Sequence, residues 1–316
     1  MQQPASSPDL TTRFVTSKDL IITVTISLIY LLFSKLLLGF KPEQLVLVIV
    51  FNALYYISLP TRKFITGFSI FIVYWIIFDS MKAFPNYRFN PVHIEGLYDA
   101  EKAVFGIQTA GGLITPNHYW LMHSSSFLDV LTGLFYLCWI PLPLAFATYM
   151  FYRSRSEFLR FAFTFIVVNF VGFTIYYTYP AAPPWYVDQY GYVFHPLTPG
   201  NTAGLARFDE YFGVKIFDGL YSKSSNVFAA MPSLHSAYPV IVLYYGLRNR
   251  LGAINLFFAF VTMGIFFSAV YNNHHYILDV IAGILTACTG IVLFNLLLKY
   301  NHRFLHFFKR LKLRIA

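Results

Sequence analysis

The feature that most constrains this chain is the recurrence of long apolar runs. Eight of them, at 20–40, 44–59, 64–78, 127–151, 158–179, 234–247, 253–271 and 276–298, carry few or no charges. A run of about 20 such residues matches the thickness of a bilayer's hydrocarbon core and exceeds what a soluble helix can hide. Composition agrees, with 57% of the 316 residues hydrophobic and 12% charged. A soluble domain carries roughly 25% charged residues. No run shows the alternating pattern of a membrane barrel. The expected fold is an all-α polytopic membrane protein with about eight transmembrane helices. The runs at 64–78 and 234–247 are short for a full crossing and are expected to extend into their polar flanks.

The connecting segments alternate in charge. With the N-terminus inside, the cytoplasmic segments and the tail hold 15 of the 23 Lys and Arg, from Arg13 to Arg314. The opposite side holds seven, from Lys41 to Lys223. The positive-inside rule then places both termini in the cytoplasm. This topology accounts for the net charge of +9 and removes the reason to expect a nucleic-acid partner. The aromatic, basic tail at 300–316 is expected to lie along the anionic membrane surface. The first run lacks a small-residue cleavage site after it and reads as a retained anchor. Cys138 and Cys288 lie inside apolar runs and read as core filler, with no disulfide or metal spacing.

Two long segments fall on the outer side. One, 81–126, contains PVHIEGLYDAEKAVFG, which suits a short amphipathic interfacial helix; the other, 180–231, opens with PAAPPW, a rigid turn that cannot be helix interior. Two histidine-bearing motifs reach that same side. In Met231-Pro232-Ser233-Leu234-His235, Pro232 suits the start of a helix. The free N–H groups there, with the Ser233 hydroxyl, suit a phosphate oxyanion, and His235 can protonate a leaving alkoxide. The other reading of this motif is an N-cap serine beside an interfacial histidine. In Tyr271–Asp279, YNNHHYILD, His275 and Asp279 stand one above the other if the segment is helical. A carboxylate bonded to one imidazole nitrogen fixes the tautomer and leaves the other as nucleophile or base. The other reading is an acidic residue favouring the helix dipole.

The pairing of PSLH with HHYILD resembles the type 2 phosphatidic acid phosphatase (PAP2) superfamily of histidine phosphotransferases. Ser233 and His235 match its second motif, P-S-x-H; Ser268, His275 and Asp279 match its third, S-R-x5-H-x3-D. The doubled histidine, the Met before the PxH-type helix start and PAAPPW look most like the inositol phosphorylceramide synthase branch. The resemblance implies a six-helix catalytic core at 63–299, preceded by a two-helix membrane hairpin at 1–62 and followed by the tail at 300–316. Two departures stand out: Ala269 occupies the third motif's arginine position, and the first motif's lysine and arginine are not evident. A phosphodiester carries less negative charge than a phosphomonoester and tolerates their loss better. Lys82 and then Arg88 are the candidate replacement cations; the other reading is that both snorkel to lipid phosphates. His274 and Trp185 are candidate head-group contacts. His93, His118, His123 and His195 show no ligand spacing, and no metal or cofactor is expected.

The resemblance further implies transfer of a head group from a phospholipid donor, phosphatidylinositol, to a ceramide-type acceptor through a phosphohistidine on His275. A lipid phosphate phosphatase is the alternative reading, and a non-enzymatic scaffold or transporter is a third. The sequence leaves open a homo-oligomer or an additional subunit, and the source membrane.

Overall fold

The computed structural model describes residues 15–222 and 226–316; Arg13 and Lys223, counted above among the loop charges, lie outside the described residues. The protein is an all-α polytopic membrane protein, and six helical stretches of the described residues, one of them Ser126–Arg153 counted through the break described below, are long and apolar enough to cross a bilayer. Tertiary contacts divide the chain into two units. One ends at Ser69 and takes in Arg314–Ala316; the other is Ile70–Leu313.

The first unit contains α1 (Ser17–Leu38) and α2 (Pro42–Ile57). At the start of α1 the Thr16 hydroxyl accepts from the Asp19 N–H, and the Asp19 carboxylate accepts from the Thr16 N–H. This reciprocal box satisfies two otherwise orphaned donors. Lipid supplies no hydrophobic drive to pair membrane helices, so polar bonds and close packing do it. Thr23 Oγ1 lies 2.6 Å from the Tyr56 hydroxyl, and Asn52 Nδ2 donates to Ser27 Oγ at 3.0 Å. After one residue the chain enters α3 (Leu59–Ser80), which extends the short run at 64–78 into both flanks.

The segment after α3 carries α4 (Glu95–Phe105), the amphipathic helix anticipated there. It continues through a hairpin of β1 (Ile107–Thr109) and β2 (Gly112–Ile114) into α5 (Pro116–Met122). The run at 127–151 is not one helix. It divides into α6 (Ser126–Leu137) and α7 (Pro141–Arg153), because Pro141 has no N–H to donate and its ring would clash with the preceding turn. The helix α8 (Arg155–Thr178) follows. The second long segment holds α9 (Pro184–Tyr190), α10 (Ala206–Phe212) and α11 (Ile216–Tyr221). PAAPPW is a turn that becomes a helix start: Ala181 accepts and donates backbone bonds to Ala230 and Phe228, and Pro184 begins α9. Then come α12 (Leu234–Arg248), α13 (Ile254–Tyr271), α14 (Ile277–Tyr300) and α15 (His302–Ile315). Of the eight expected spans, α2 with 16 residues and α12 with 15 remain shorter than the six.

The second unit is built on α12, packed against α8, α13 and α14. Buried hydroxyls and amides link the helices. Tyr238 donates to Asn169 Oδ1 at 2.7 Å and lies 2.9 Å from the Tyr74 hydroxyl, and Thr164 lies 2.7 Å from that of Tyr245. Phe71 of α3 packs on Phe158, Phe161 and Phe165 of α8. On α15, Phe304, Phe307 and Phe308 meet Phe163, while Arg303, Lys309, Arg310 and Lys312 are exposed. Cys288, expected in the core, is instead on an exposed face of α14. The helices α8 and α14 touch where Gly290 meets Val168, and a Cβ at 290 would overlap both the Val168 side chain and its backbone. Gly290→Leu is therefore expected to cost about 1–3 kcal/mol through overpacking. It should appear as a lower Tm of the detergent-solubilised protein; an unchanged Tm would show that this contact does not set the helix separation.

Candidate active site

The start of α12 is an N-cap. Ser233 has extended backbone and its Oγ accepts from the Ser236 N–H at 3.3 Å and from the Ser236 hydroxyl at 3.1 Å. Both bonds use lone pairs and leave the Ser233 O–H as a donor. Pro232 lies one residue before the cap and is not in the first helical turn as the sequence suggested. Ser233 is fully buried and His235 is half-buried.

The turn from α13 into α14 is held from four directions. Asn273 takes a left-handed conformation, φ 62°, which asparagine tolerates better than most residues. It reverses the chain so that the N–H groups of His274 and His275 both donate to the Ala269 carbonyl, at 3.1 and 3.0 Å. Asn117 Nδ2 donates to the carbonyls of Val270 and His275, both at 2.9 Å. The first N–H groups of α14, which no helical carbonyl can satisfy, go to carboxylates. Asp279 accepts from Tyr276 at 2.8 Å, and Glu101 of α4 accepts from Ile277 at 2.9 Å and Leu278 at 3.0 Å. Glu101 is fully buried. Burial pushes its pKa up, and the two N–H bonds pull against that shift.

The two helix starts are joined directly. The Ser233 N–H donates to the Asp279 carbonyl at 2.9 Å. Gly283, one turn below, permits this approach, because a Cβ there would overlap the Ser233 carbonyl. The result is that His235 Nδ1 lies 3.0 Å from His275 Nε2. The expected bond from Asp279 to His275 is looser: Nδ1 is 3.6 Å from Asp279 Oδ2, beyond a good hydrogen bond. That oxygen is already committed to the Tyr276 N–H, while His275 Nδ1 and Asp279 Oδ1 are buried without a hydrogen-bond partner. The partners assign the tautomers. A carboxylate facing His275 Nδ1 favours the proton there, which leaves Nε2 as an acceptor and requires His235 Nδ1 to donate.

Other candidates lie elsewhere. His274 is buried between Tyr136 and Tyr221, with ring centroids 5.6 and 4.5 Å away. Burial, reinforced by the neighbouring His275, pushes its pKa down to about 3. It is thus neutral at pH 7, and its Nε2 donates to the Thr202 carbonyl at 2.9 Å. Its place is in holding the 195–222 segment over the turn, where Gly204 also donates to the Asn272 carbonyl. Trp185 is buried among Ile94, Ala182, Tyr186 and Phe228, and its backbone N–H donates to the Asn273 carbonyl at 3.1 Å. Lys82 is engaged by Asp79 at 2.7 Å, and Arg88 is exposed. Ser268 is buried and donates to the Gly264 carbonyl. Ala269 is fully buried with Tyr136, Leu205, Phe208 and Val280, so hydrocarbon fills the place of the motif arginine. His93 stacks on Tyr179, His118 lies 3.8 Å from Asp188, and His123 is bonded to Tyr119. Among the described residues no three His, Cys, Asp or Glu side chains cluster as metal ligands.

The sequence reading missed Glu101 and Asn117. Their partners are 176 and 158 residues away, so no local spacing announces them. Glu101→Gln keeps the shape but turns an amide N–H₂ toward a backbone N–H. We expect a loss of about 2–3 kcal/mol, the scale of hydrogen bonds to a charged group, together with loss of most turnover. Equal stability of the two proteins on urea or thermal unfolding would refute the capping role.

Comparison with known proteins places the site in context. The PAP2 superfamily profile matches residues 104–293. The phosphoinositol dihydroceramide synthase of Bacteroides thetaiotaomicron is 42% identical, over 93% of this chain and 97% of that protein. The inositol phosphorylceramide synthase catalytic subunit AUR1 of Saccharomyces cerevisiae is 30% identical, over 80% of this chain and 63% of the relative. The inositol phosphorylceramide synthase of Candida albicans is 27% identical, over 78% and 51%. No solved structure matches the chain.

Proposed function

The chain belongs to the PAP2 superfamily, and from that premise we propose that it is an inositol phosphorylceramide synthase-like enzyme. It moves phosphoinositol from phosphatidylinositol to the primary hydroxyl of a ceramide-type lipid. The observation that carries this reading is the 3.0 Å contact between His235 and His275 at two joined helix starts. The names of the relatives support the choice of donor and acceptor.

The geometry supports the following mechanism. His275 Nε2 attacks the phosphorus, and Asp279, beside Nδ1, stabilises the positive charge that develops on the ring. The bond from phosphorus to the diacylglycerol oxygen breaks, and His235 protonates that oxygen. His235 then removes the proton of the acceptor hydroxyl, whose oxygen displaces His275 from phosphorus. The phosphoryl oxygens meet the Ser233 O–H at the start of α12. An apolar Ala269 in place of arginine suits a diester, which carries less charge than a monoester, and it weighs against phosphatidic acid as substrate. The two lipids and the surrounding bilayer are the partners we propose. We also propose that both termini are cytoplasmic and that the site opens to the outer face, within a catalytic core at 63–299.

Asp279→Asn keeps an acceptor for the Tyr276 N–H but removes the charge beside His275. Turnover should fall on the order of a thousandfold, by analogy with triads, while His275→Ala should abolish both turnover and any covalent phosphoenzyme. With labelled phosphatidylinositol and ceramide, the purified protein should form a phosphoinositol-ceramide and diacylglycerol. Rapid phosphate release from phosphatidic acid, without head-group transfer, would establish the phosphatase reading instead. In a background lacking Cys138 and Cys288, a cysteine at 154 should be labelled only from the cytoplasm and one at 188 only from outside; reversed labelling would relocate the chemistry.

A further inference from the structure

His235 has two hydrogen-bond partners at one nitrogen. Its Nδ1 lies 3.0 Å from His275 Nε2 and 3.1 Å from the hydroxyl of Tyr136 on α6. Tyr136 is fully buried and its ring stacks on His274, 5.6 Å away and 19° from parallel. The hydroxyl therefore has little freedom. Trp139, at the break between α6 and α7, sets its ring edge-on to His235 at 4.4 Å. The interruption at Pro141 thus presents two aromatic side chains to the imidazole from one short stretch.

The proton count at this nitrogen is informative. His275 Nε2 is an acceptor because its Nδ1 faces Asp279, so one proton on His235 Nδ1 is shared between two acceptors. Once phosphorus is bonded to His275 Nε2, that acceptor is gone and the Tyr136 oxygen remains. We propose that Tyr136 is a positioning residue for His235: its phenol oxygen holds the Nδ1 proton through both half-reactions and makes Nε2 the nitrogen that exchanges protons with the lipids. This rests on the acid–base role given to His235 above. In the first half, the imidazolium gives its Nε2 proton to the diacylglycerol oxygen as the P–O bond breaks and the N–P bond forms. It is left neutral, protonated at Nδ1. In the second, Nε2 takes the acceptor's hydroxyl proton as that oxygen bonds phosphorus and the P–N bond breaks. A neutral phenol suits this cycle, since a carboxylate would bind the imidazolium so well that it became a poor acid.

The test is Tyr136→Phe, assayed with two donors. Phosphatidylinositol needs its leaving oxygen protonated; a 4-nitrophenyl phosphoinositol diester does not. With phosphatidylinositol and ceramide, we expect kcat to fall about ten- to a hundredfold at nearly unchanged KM, a part of the roughly hundred- to ten-thousandfold that general acid catalysis supplies. With the nitrophenyl diester, the nitrophenolate burst that reports formation of the phosphoenzyme should stay within about twofold of the unsubstituted protein. That burst also shows that the variant is folded. Equal losses with both donors would overturn the proposal in favour of a packing role, and so would an unchanged kcat with phosphatidylinositol. If the unsubstituted protein transfers no head group from phosphatidylinositol, the transferase reading fails instead.

Discussion

A single backbone hydrogen bond, from the Ser233 N–H to the Asp279 carbonyl, joins the two half-sites. Each half is a helix start, and a helix start has N–H groups that must be satisfied from outside the helix. Here one start donates to the first turn of the other. Gly283 makes the approach possible by having no side chain. The separation of His235 and His275 is thus set by main chain, which moves little, and not by long side chains that must be ordered first. Catalysis that depends on placement within a fraction of an ångström requires such support.

The same logic extends outward. Glu101 gives both carboxylate oxygens to α14, Asn117 clamps the turn before it, and Tyr136 fixes the imidazole across from it. In an apolar interior such groups are costly if unpaired; here the backbone N–H groups and carbonyls of the turn are paired, while His275 Nδ1, Asp279 Oδ1 and Asn117 Oδ1 are buried without a hydrogen-bond partner. His274 is built into this scaffold, between Tyr136 and Tyr221 and bonded to the Thr202 carbonyl. Two histidines adjacent in sequence therefore do unlike work. The left-handed turn at Asn273 precedes them, and His274 is locked between tyrosines while His275 faces His235.

Much of the helical framework was legible in the sequence because apolar runs announce themselves at any position. The histidine motifs were visible because each is local: Ser233 and His235 stand two residues apart, and His275 and Asp279 four. What stayed hidden has two causes. The first is distance along the chain, since the partners of Glu101, Asn117 and Tyr136 lie about 100 or more residues away and no period or spacing encodes them. The second is competition for an atom. Asp279 was read as the partner of His275, yet its Oδ2 is shared with the Tyr276 N–H, a need of the helix that the spacing of His and Asp does not reveal. The break at Pro141 was readable from the proline and was overridden by the length of the apolar run around it.

The shortness of α12 has a consequence for where the reaction sits. Fifteen residues make a helix about 22 Å long, against about 30 Å of hydrocarbon. Were its Arg248 end at the water and its axis upright, its His235 end would lie roughly 8 Å inside the opposite boundary. On the transferase reading proposed above, the reacting phosphate would then be drawn down from the plane of its neighbours into a recess. A lipid alcohol already resides at that depth, whereas water is scarce there. Such depth alone would bias the outcome toward passing the head group to a second lipid, before any side chain chooses between them.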